Sequence, residues 1–192
     1  MKKTISQSML SFILNGISIL ALIFLMSSLL SYGSVSRKLN TANEQRFSLT
    51  YNANRFMNGS AYLTNEVRAF ASTGQQEHYD NYWNEVDNLK NRDKGVEAMQ
   101  KIGITAKEQA MIDQMSDLSN TLVPLEDEAM KNVQAGNMQA ALDYVYGSDY
   151  NSSITQINAI KEQFLSALDA RTLAKVETLE RNARAIEGAM FF

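Results

Sequence analysis

The chain contains no cysteine, one histidine and one proline among its 192 residues. Without cysteine it has no disulfide framework, no thiolate metal ligand and no thiol nucleophile. One histidine is too few for the paired-histidine and Glu-x-x-His ligand sets of zinc, haem and di-iron sites. The sequence also lacks a phosphate-binding glycine loop, a Ser-His-Asp set and a convincing pair of acids for hydrolysis. We therefore expect a protein that is not an enzyme and that holds no metal or cofactor.

Charge is missing as well from a long stretch near the N-terminus, between Lys3 and Arg37. Within it, residues 9–32 are predominantly apolar, and at about 1.5 Å per residue they span a bilayer core of roughly 30 Å. The run is longer than the roughly 7–15 apolar residues of a cleaved signal peptide, and no A-x-A sequence precedes its end. We predict an uncleaved transmembrane helix at 9–32, with a cytoplasmic N-terminus at 1–8 because Lys2 and Lys3 precede the run.

The rest of the chain lacks a basic surface. Lys2 and Lys3 precede residue 33, which leaves 16 of the 18 basic residues against all 21 acidic ones, a formal charge of −5 for residues 33–192. Phosphate binding needs clustered positive charge, so nucleic acid is not an expected partner. No low-complexity tract or long Pro/Gly/Ser linker divides this part, so we expect one folded domain on the outer side of the membrane.

What is present is helical periodicity. In the first segment, residues spaced three and four apart form a core-facing seam that is typical of a packed helix: Leu39, Ala42, Arg46, Leu49, Ala53, Phe56, Ser60, Leu63, Val67 and Phe70. The seam predicts one continuous helix that ends at Gly74, since glycine readily adopts the left-handed conformation of a helix end. No segment alternates apolar and polar residues as a half-buried strand does, so the predicted class is all-α.

Further helices follow. The second is predicted over about 76–102, with one face formed by Tyr79, Tyr82, Val86 and Leu89. A capping box of Thr105 and Glu108 begins the third, which is expected to kink at Pro124 and to end near Gly136. A short helix capped by Asn137 leads to a fourth long helix from about residue 150.

Four long helices with short connections predict an up-down-up-down antiparallel four-helix bundle over residues 33–187, preceded by the transmembrane helix. Its first and fourth helices then share the membrane end. Residues 188–192, "GAMFF", are expected to be the start of a truncated second transmembrane helix.

The order of these segments resembles the four-helix-bundle sensor domain of bacterial methyl-accepting chemotaxis proteins. The resemblance covers nearly the whole chain and rests on the layout together with "FMNGSAYLTNEVRAFASTGQQEHYDNYWNEV", "GITAKEQAMIDQM" and "KNVQAGNMQAALDYV". It implies a transmembrane chemoreceptor of the inner (plasma) membrane whose extracytoplasmic sensor binds a small solute and transmits a helix displacement for chemotaxis. Cytoplasmic signalling partners would then be reached only through a C-terminal part that follows Phe192.

Two other interpretations remain open at this point. The same kind of bundle serves as the input domain of sensor histidine kinases and cyclic-nucleotide enzymes. A membrane-anchored structural bundle without a ligand is the third possibility, because aromatic residues at helical spacing are usually packing.

A second, semi-polar stripe runs along the first helix about 100° round from its core seam: Phe47, Thr50, Asn54, Met57, Ala61, Thr64, Arg68 and Ala71. A helix with two seams is able to face its own bundle with one and a second subunit with the other. We therefore expect a homodimer through helix one, with this stripe little buried in a single chain.

The binding site is expected at the end of the bundle far from the membrane. The resemblance implies that an arginine of helix one and hydroxyls of helix four surround the ligand, and a guanidinium fork suits a carboxylate. The predicted ligand is therefore an organic acid or amino acid, with an uncharged aromatic or heterocyclic solute as the alternative. A salt-bridged or solvated surface arginine is the competing interpretation of Arg68. The predicted site residues are Arg68, Thr64, Trp83, Tyr146, Tyr150, Ser152, Ser153 and Thr155.

Overall fold

A computed structural model describes residues 6–190, and these residues form helices without a strand. The predicted all-α class is confirmed. The helices are α1 (Gln7–Thr73), α2 (Gln76–Asn84), a π-helical segment (Glu85–Leu89), α3 (Asn91–Ile102), α4 (Ala106–Gln134), α5 (Met138–Tyr146) and α6 (Ser148–Met190).

The N-terminal part of α1 is apolar on all sides. Its most apolar window has a mean hydropathy of 2.4 and buries none of its residues, so this helix is long and apolar enough to cross a membrane. Phe12 is 84% exposed and Leu30 71% exposed. Of the predicted N-terminal segment 1–8, residues 1–5 lie outside the described residues, as do 191 and 192 of the predicted second span.

Two predicted helix ends, at Gly74 and at Thr105, are present and are fixed by hydrogen bonds to neighbouring residues. Gly74 ends α1 with φ +67°, and its N–H donates to the carbonyl of Phe70 at 2.8 Å. Before α4, the Thr105 N–H donates to Glu108 Oε2 at 2.7 Å and the Glu108 N–H donates to Thr105 Oγ1 at 3.2 Å. This is the predicted capping box. Helix α4 continues through Pro124. The predicted cap by Asn137 is wrong, because its side chain accepts no hydrogen bond from the first turn of α5.

The predicted second helix is interrupted. A π-helical turn over Glu85–Leu89 is followed by Lys90 in the left-handed conformation, with φ 51°. The buried Glu85 carboxylate fixes the restart of the helix, because it accepts from the backbone N–H of Asn91 at 2.7 Å and from Asn91 Nδ2 at 2.8 Å. Leu89 was expected on the core face and is 43% exposed, since a π turn advances the chain by one residue beyond α-helical spacing.

Gly95 on α3 lies against the backbone of α1. A Cβ atom at this position would be 2.8 Å from the Asn52 carbonyl oxygen and 2.9 Å from the Phe56 nitrogen. Any larger residue here would force the two helices apart. Gly95 lies in the second turn of α3, so α3 packs closely on the backbone of α1 soon after the helix restarts.

The chain divides into two compact units, one of residues 45–172 and one that combines the N- and C-terminal residues on either side of them. The larger unit has two apolar core clusters. One contains Leu63, Val67, Phe70, Ala71, Tyr82, Leu122, Ala129, Met130, Ala141, Val145 and Tyr150. The other contains Leu49, Ala53, Phe56, Met57, Met99, Met111, Ile112, Met115, Phe164 and Leu168.

The core seam predicted for α1 is buried from Leu49 to Phe70 at its apolar positions. Arg46, the charged member of the seam, is partly exposed and its Nη2 contacts Asp169 Oδ1 at 2.8 Å. The second stripe is less uniform than expected: Phe47 is 73% exposed, whereas Met57 and Ala71 are buried. The expectation that this stripe is little buried in one chain is therefore wrong at Met57 and Ala71, because these two residues belong to the core clusters.

In the smaller unit, Ala42 of α1 and Val176 of α6 are buried. The Tyr32 hydroxyl donates to Glu187 Oε1 at 3.2 Å, which links α1 and α6 within this unit.

Candidate functional site

A cavity of about 370 Å³ lies within the unit of residues 45–172. Its walls come from α1, α2, the π-helical segment, α3, α4 and α6. The apolar and aromatic part consists of Phe56, Met57, Ala61, Leu63, Tyr82, Trp83, Val86, Met115, Leu122, Val123, Ile154 and Ile157. The polar part consists of Ser60, Thr64, Asn65, Arg68, Arg92, Ser119, Glu126, Asn158 and Lys161.

Small side chains and the interrupted helix together leave this space open. Ser60 replaces a large apolar residue in the core seam of α1, and Ser119 lies on the α4 wall. On the opposite side, Trp83 precedes the π turn and Arg92 follows it, so both reach the same cavity from one interrupted helix. π-helical turns occur frequently at functional sites.

The cavity carries an excess of positive charge. Its lining includes three cationic side chains, Arg68, Arg92 and Lys161, and a single carboxylate, Glu126. Lys161 also lies 3.9 Å from Glu162, and its side chain is 31% exposed. An anionic group therefore finds more complementary charge here than a cationic one does.

Glu126 is occupied by two tyrosines. It is 5% exposed, and it accepts from the Tyr82 hydroxyl at 2.6 Å and from the Tyr150 hydroxyl at 2.7 Å. Burial, followed by the nearby carboxylate, raises the pKa of both Tyr82 and Tyr150 well above the usual range. Both hydroxyls therefore remain protonated donors, and the arrangement joins α2, α4 and α6 through one buried carboxylate.

Arg68 links α1 to the junction of α5 and α6. Its Nε donates to the Val145 carbonyl at 3.0 Å, and its Nη2 donates to Asn151 Oδ1 at 2.7 Å. The guanidinium carbon lies 4.7 Å from the centre of the Tyr146 ring and 5.2 Å from that of Tyr150. Two of its nitrogens and the face of its guanidinium group are thus engaged within the fold.

Two other cavity residues have unmet hydrogen-bonding capacity. Among the described residues, Trp83 Nε1 and Arg92 Nε are the buried side-chain nitrogens that have no hydrogen-bond partner. Such groups are costly and rare in folded proteins, and they call for an explanation. Both belong to side chains that line the cavity.

The structure brings only part of the predicted site together. Arg68, Thr64 and Trp83 line the cavity. Tyr146 and Tyr150 contact Arg68 from outside the cavity lining. The three predicted hydroxyl residues on α6, Ser152, Ser153 and Thr155, are also absent from the lining. The residues that α6 contributes instead are Ile154, Ile157, Asn158 and Lys161.

Arg92, Glu126 and Lys161 were missed by the sequence analysis. The sequence did contain a signal for Glu126. Leu122, Glu126 and Ala129 are spaced four and then three residues apart, so Glu126 lies on the apolar face of α4 as a charged residue. The sequence contained no such signal for Arg92, because its place in the cavity depends on the interruption of the helix. Lys161 follows an apolar seam residue on α6 and was indistinguishable from a solvated lysine.

No group of three or more histidine, aspartate or glutamate residues within residues 6–190 is placed to hold a metal ion. Comparison of the chain with models of protein families, with curated proteins and with solved structures finds no match. The arrangement within residues 45–172 is therefore the basis for assigning a function.

Proposed function

We propose that the chain is the extracytoplasmic sensor domain of a transmembrane receptor and that it binds a small organic anion in the cavity. The observation that carries this proposal is the 370 Å³ cavity with three cations and one already satisfied carboxylate in its lining. Small-molecule sites are usually concave, mostly apolar, and equipped with a few polar groups that orient the ligand. A cavity at the lower end of the usual size range favours an organic acid or amino acid.

The proposal includes the architecture expected from the sequence. Helices α2 and α3 would form one interrupted arm of an up-down-up-down four-helix bundle, with α1, α4 and α6 as the other arms and α5 as a short step. Helix α1 supports this assignment, because it runs without interruption from the apolar segment to the cavity residues Thr64 and Arg68.

Signal transmission would use a small displacement of long helices. Helix α1 has 67 residues and α6 has 43, and both contribute to the cavity lining. Packed helices shift by about 1–2 Å in known allosteric transitions. A ligand that contacts α1 and α6 together would bias their relative position.

We also propose a homodimer through α1. The strip of α1 that supports this interface contains exposed aromatic and polar residues at helical spacing: Phe47, Thr50, Tyr51 and Asn54. Its aromatic area favours association, while Thr50 and Asn54 keep that association weak.

Chemotaxis is the proposed output, on the resemblance to chemoreceptor sensor domains. Input to a histidine kinase or a cyclic-nucleotide enzyme is the alternative. Any coding sequence beyond Phe192 would distinguish them, because a long cytoplasmic signalling hairpin and a kinase or cyclase module differ in length and motifs.

A ligand screen of the 192-residue chain in detergent micelles tests the binding function. Carboxylates, amino acids and their amides would be compared by thermal shift, since a ligand at 100 times its Kd stabilises the folded state by about 2.7 kcal/mol. We expect acids to raise the melting temperature more than amides of the same shape. If no member of the panel changes it, the structural bundle without a ligand is the better interpretation.

A further inference from the structure

We propose that the ligand's carboxylate binds between Arg92 and Trp83, and that Arg68, the arginine suggested by the sequence, holds the fold together. This inference rests on the proposed function and specifies which residues recognise the anion. Its ligand class is a small monocarboxylate with an apolar, ring-sized body. Three observations carry it: the engaged donors of Arg68, the unpartnered nitrogens of Arg92 and Trp83, and the position of these two residues at the interrupted helix.

The contacts of Arg68 leave it little capacity for a ligand. Its Nε and Nη2 donate to Val145 and Asn151, and its guanidinium group lies over Tyr146 and Tyr150. A carboxylate that paired with the Nε and Nη2 edge of Arg68 would have to displace these partners. The gain from the new pair would then be offset by the loss of contacts that hold α1 to α5 and α6.

Arg92 and Trp83 are in the opposite situation. Arg92 Nε and Trp83 Nε1 are both buried and have no hydrogen-bond partner within the described part of the chain. A carboxylate has two oxygens that accept hydrogen bonds, and the proposal assigns one oxygen to each of these donors, whose side chains line the same cavity. Hydrogen bonds that involve a charged group are about twice as strong as neutral ones, and a desolvated cavity strengthens them further.

The walls next to these donors define the rest of the ligand. Phe56, Tyr82, Met115 and Val86 supply apolar and aromatic surface. Ser60, Thr64 and Ser119 are small and leave space for a ring. Lys161 also lines the cavity, but it is partly exposed and has Glu162 at 3.9 Å, so the proposal does not make it the buried partner of the carboxylate.

The two proposed donors lie on opposite sides of the π turn and of the left-handed Lys90. A ligand bound to both would bridge the interruption and restrain α3 relative to α2. The hydrogen bonds from Trp83 and Arg92 to the carboxylate would therefore form on either side of the irregular backbone segment in the cavity wall.

Trp83 provides the readout, because it is the only tryptophan in the chain. Benzoate is the probe, benzamide is the neutral control of the same shape, and the full chain is studied in detergent micelles. We expect benzoate to change Trp83 emission in a saturable way and benzamide to have at least ten-fold weaker affinity. Arg92→Met should weaken benzoate binding by about 10-fold to 100-fold, the range expected for a lost charge-assisted hydrogen bond.

Matched variants separate recognition from folding. Lys94→Met removes an exposed cation from the same helix and should leave benzoate affinity unchanged. Trp83→Phe keeps an aromatic ring but removes the N–H, so calorimetry should show weaker benzoate binding. Arg92→Lys keeps the charge without Nε and should give intermediate affinity, which also covers the case in which Arg92→Met does not fold.

The possible outcomes distinguish the two proposals. If benzoate binds and Arg92→Met and Trp83→Phe bind it as well as the wild type does, the assignment to these residues is overturned while the sensor function stands. Loss of benzoate binding in Lys161→Met alone would likewise overturn the assignment to Arg92 and Trp83 while the sensor function stands. If neither benzoate nor any acid of the screening panel changes fluorescence or melting temperature, both proposals fail.

Discussion

Arg171 of α6 donates two hydrogen bonds to the Glu108 carboxylate in the first turn of α4, from Nε to Oε1 at 2.8 Å and from Nη2 to Oε2 at 3.0 Å. Glu108 is 2% exposed and also accepts the Thr105 N–H. Burial by itself raises the pKa of this carboxyl, but hydrogen bonds from Arg171 and Thr105 outweigh that effect and lower the pKa below its ordinary value of 4.5. One carboxylate thus caps α4 and binds α6.

Arg171→Ala should lower the free energy of unfolding by about 2–3 kcal/mol. Loss of one partner from a buried ion pair usually costs about 3–5 kcal/mol, and the partial exposure of Arg171 reduces the cost to the lower end of this range or slightly below it. Urea unfolding followed by circular dichroism measures the change. Arg181→Ala, which removes an exposed arginine of the same helix, should change stability by less than about 0.5 kcal/mol.

The same pair makes stability depend on acid pH. Because the folded pKa of Glu108 is lowered, its contribution is present above the ordinary pKa of 4.5 and is lost as pH falls through the folded value. Wild-type protein should therefore lose stability below about pH 4.5 more steeply than Glu108→Gln does. Parallel acid titrations of the two proteins would contradict this assignment.

Tyr150→Phe should destabilise the protein by about 1–3 kcal/mol, because it leaves the buried Glu126 carboxylate with one tyrosine donor instead of two. Tyr146→Phe is the matched control, since Tyr146 is 48% exposed. Burial raises the folded pKa of Tyr82 and Tyr150, so their contribution is complete below pH 10 and declines as pH rises above it. Thermal melts at pH 8 and above pH 10 test both statements.

Gly95→Ala should destabilise the unit of residues 45–172 by about 1–2 kcal/mol. The added methyl group would meet backbone atoms of Asn52 and Phe56, and this strain exceeds the roughly 1 kcal/mol that alanine gains over glycine in a helix. Gly188→Ala has open space around it and should be neutral or slightly stabilising. Equal melting temperatures for the two variants would contradict the close packing of α3 on α1.

Asn54→Cys should form a disulfide-linked dimer in membranes under mild oxidation, because Asn54 lies on the exposed strip of α1 proposed as the dimer interface. The chain has no cysteine of its own, so any crosslink reports the introduced residue. Leu63→Cys, at a buried core position, should stay monomeric. Crosslinking at Leu63 but not at Asn54 would show that the wrong face had been assigned to the interface.

The sequence predicted those features that depend on local chemistry. Gly74 and the Thr105–Glu108 capping box are examples, because neighbouring residues alone satisfy the free groups at a helix end. The interruption after Asn84 escaped prediction because it depends on distant contacts: Glu85 is buried, and Gly95 packs on the backbone of α1. The predicted site also depended on distant contacts. Arg68 has the residue type and position that the sequence suggested, but only the folded chain shows that its Nε and Nη2 donate to Val145 and Asn151.

The π turn before Lys90 also marks a place where a change in chain length would have an unusually large effect. In an α-helix each residue turns the chain by about 100°. Deletion of one residue from the π-helical stretch Glu85–Leu89 would change the register of the side chains that follow, Arg92 included, by up to about that angle relative to α2. A chain one residue shorter here would therefore place a different side chain where Arg92 stands, so a single codon would suffice to change the chemistry of the cavity lining.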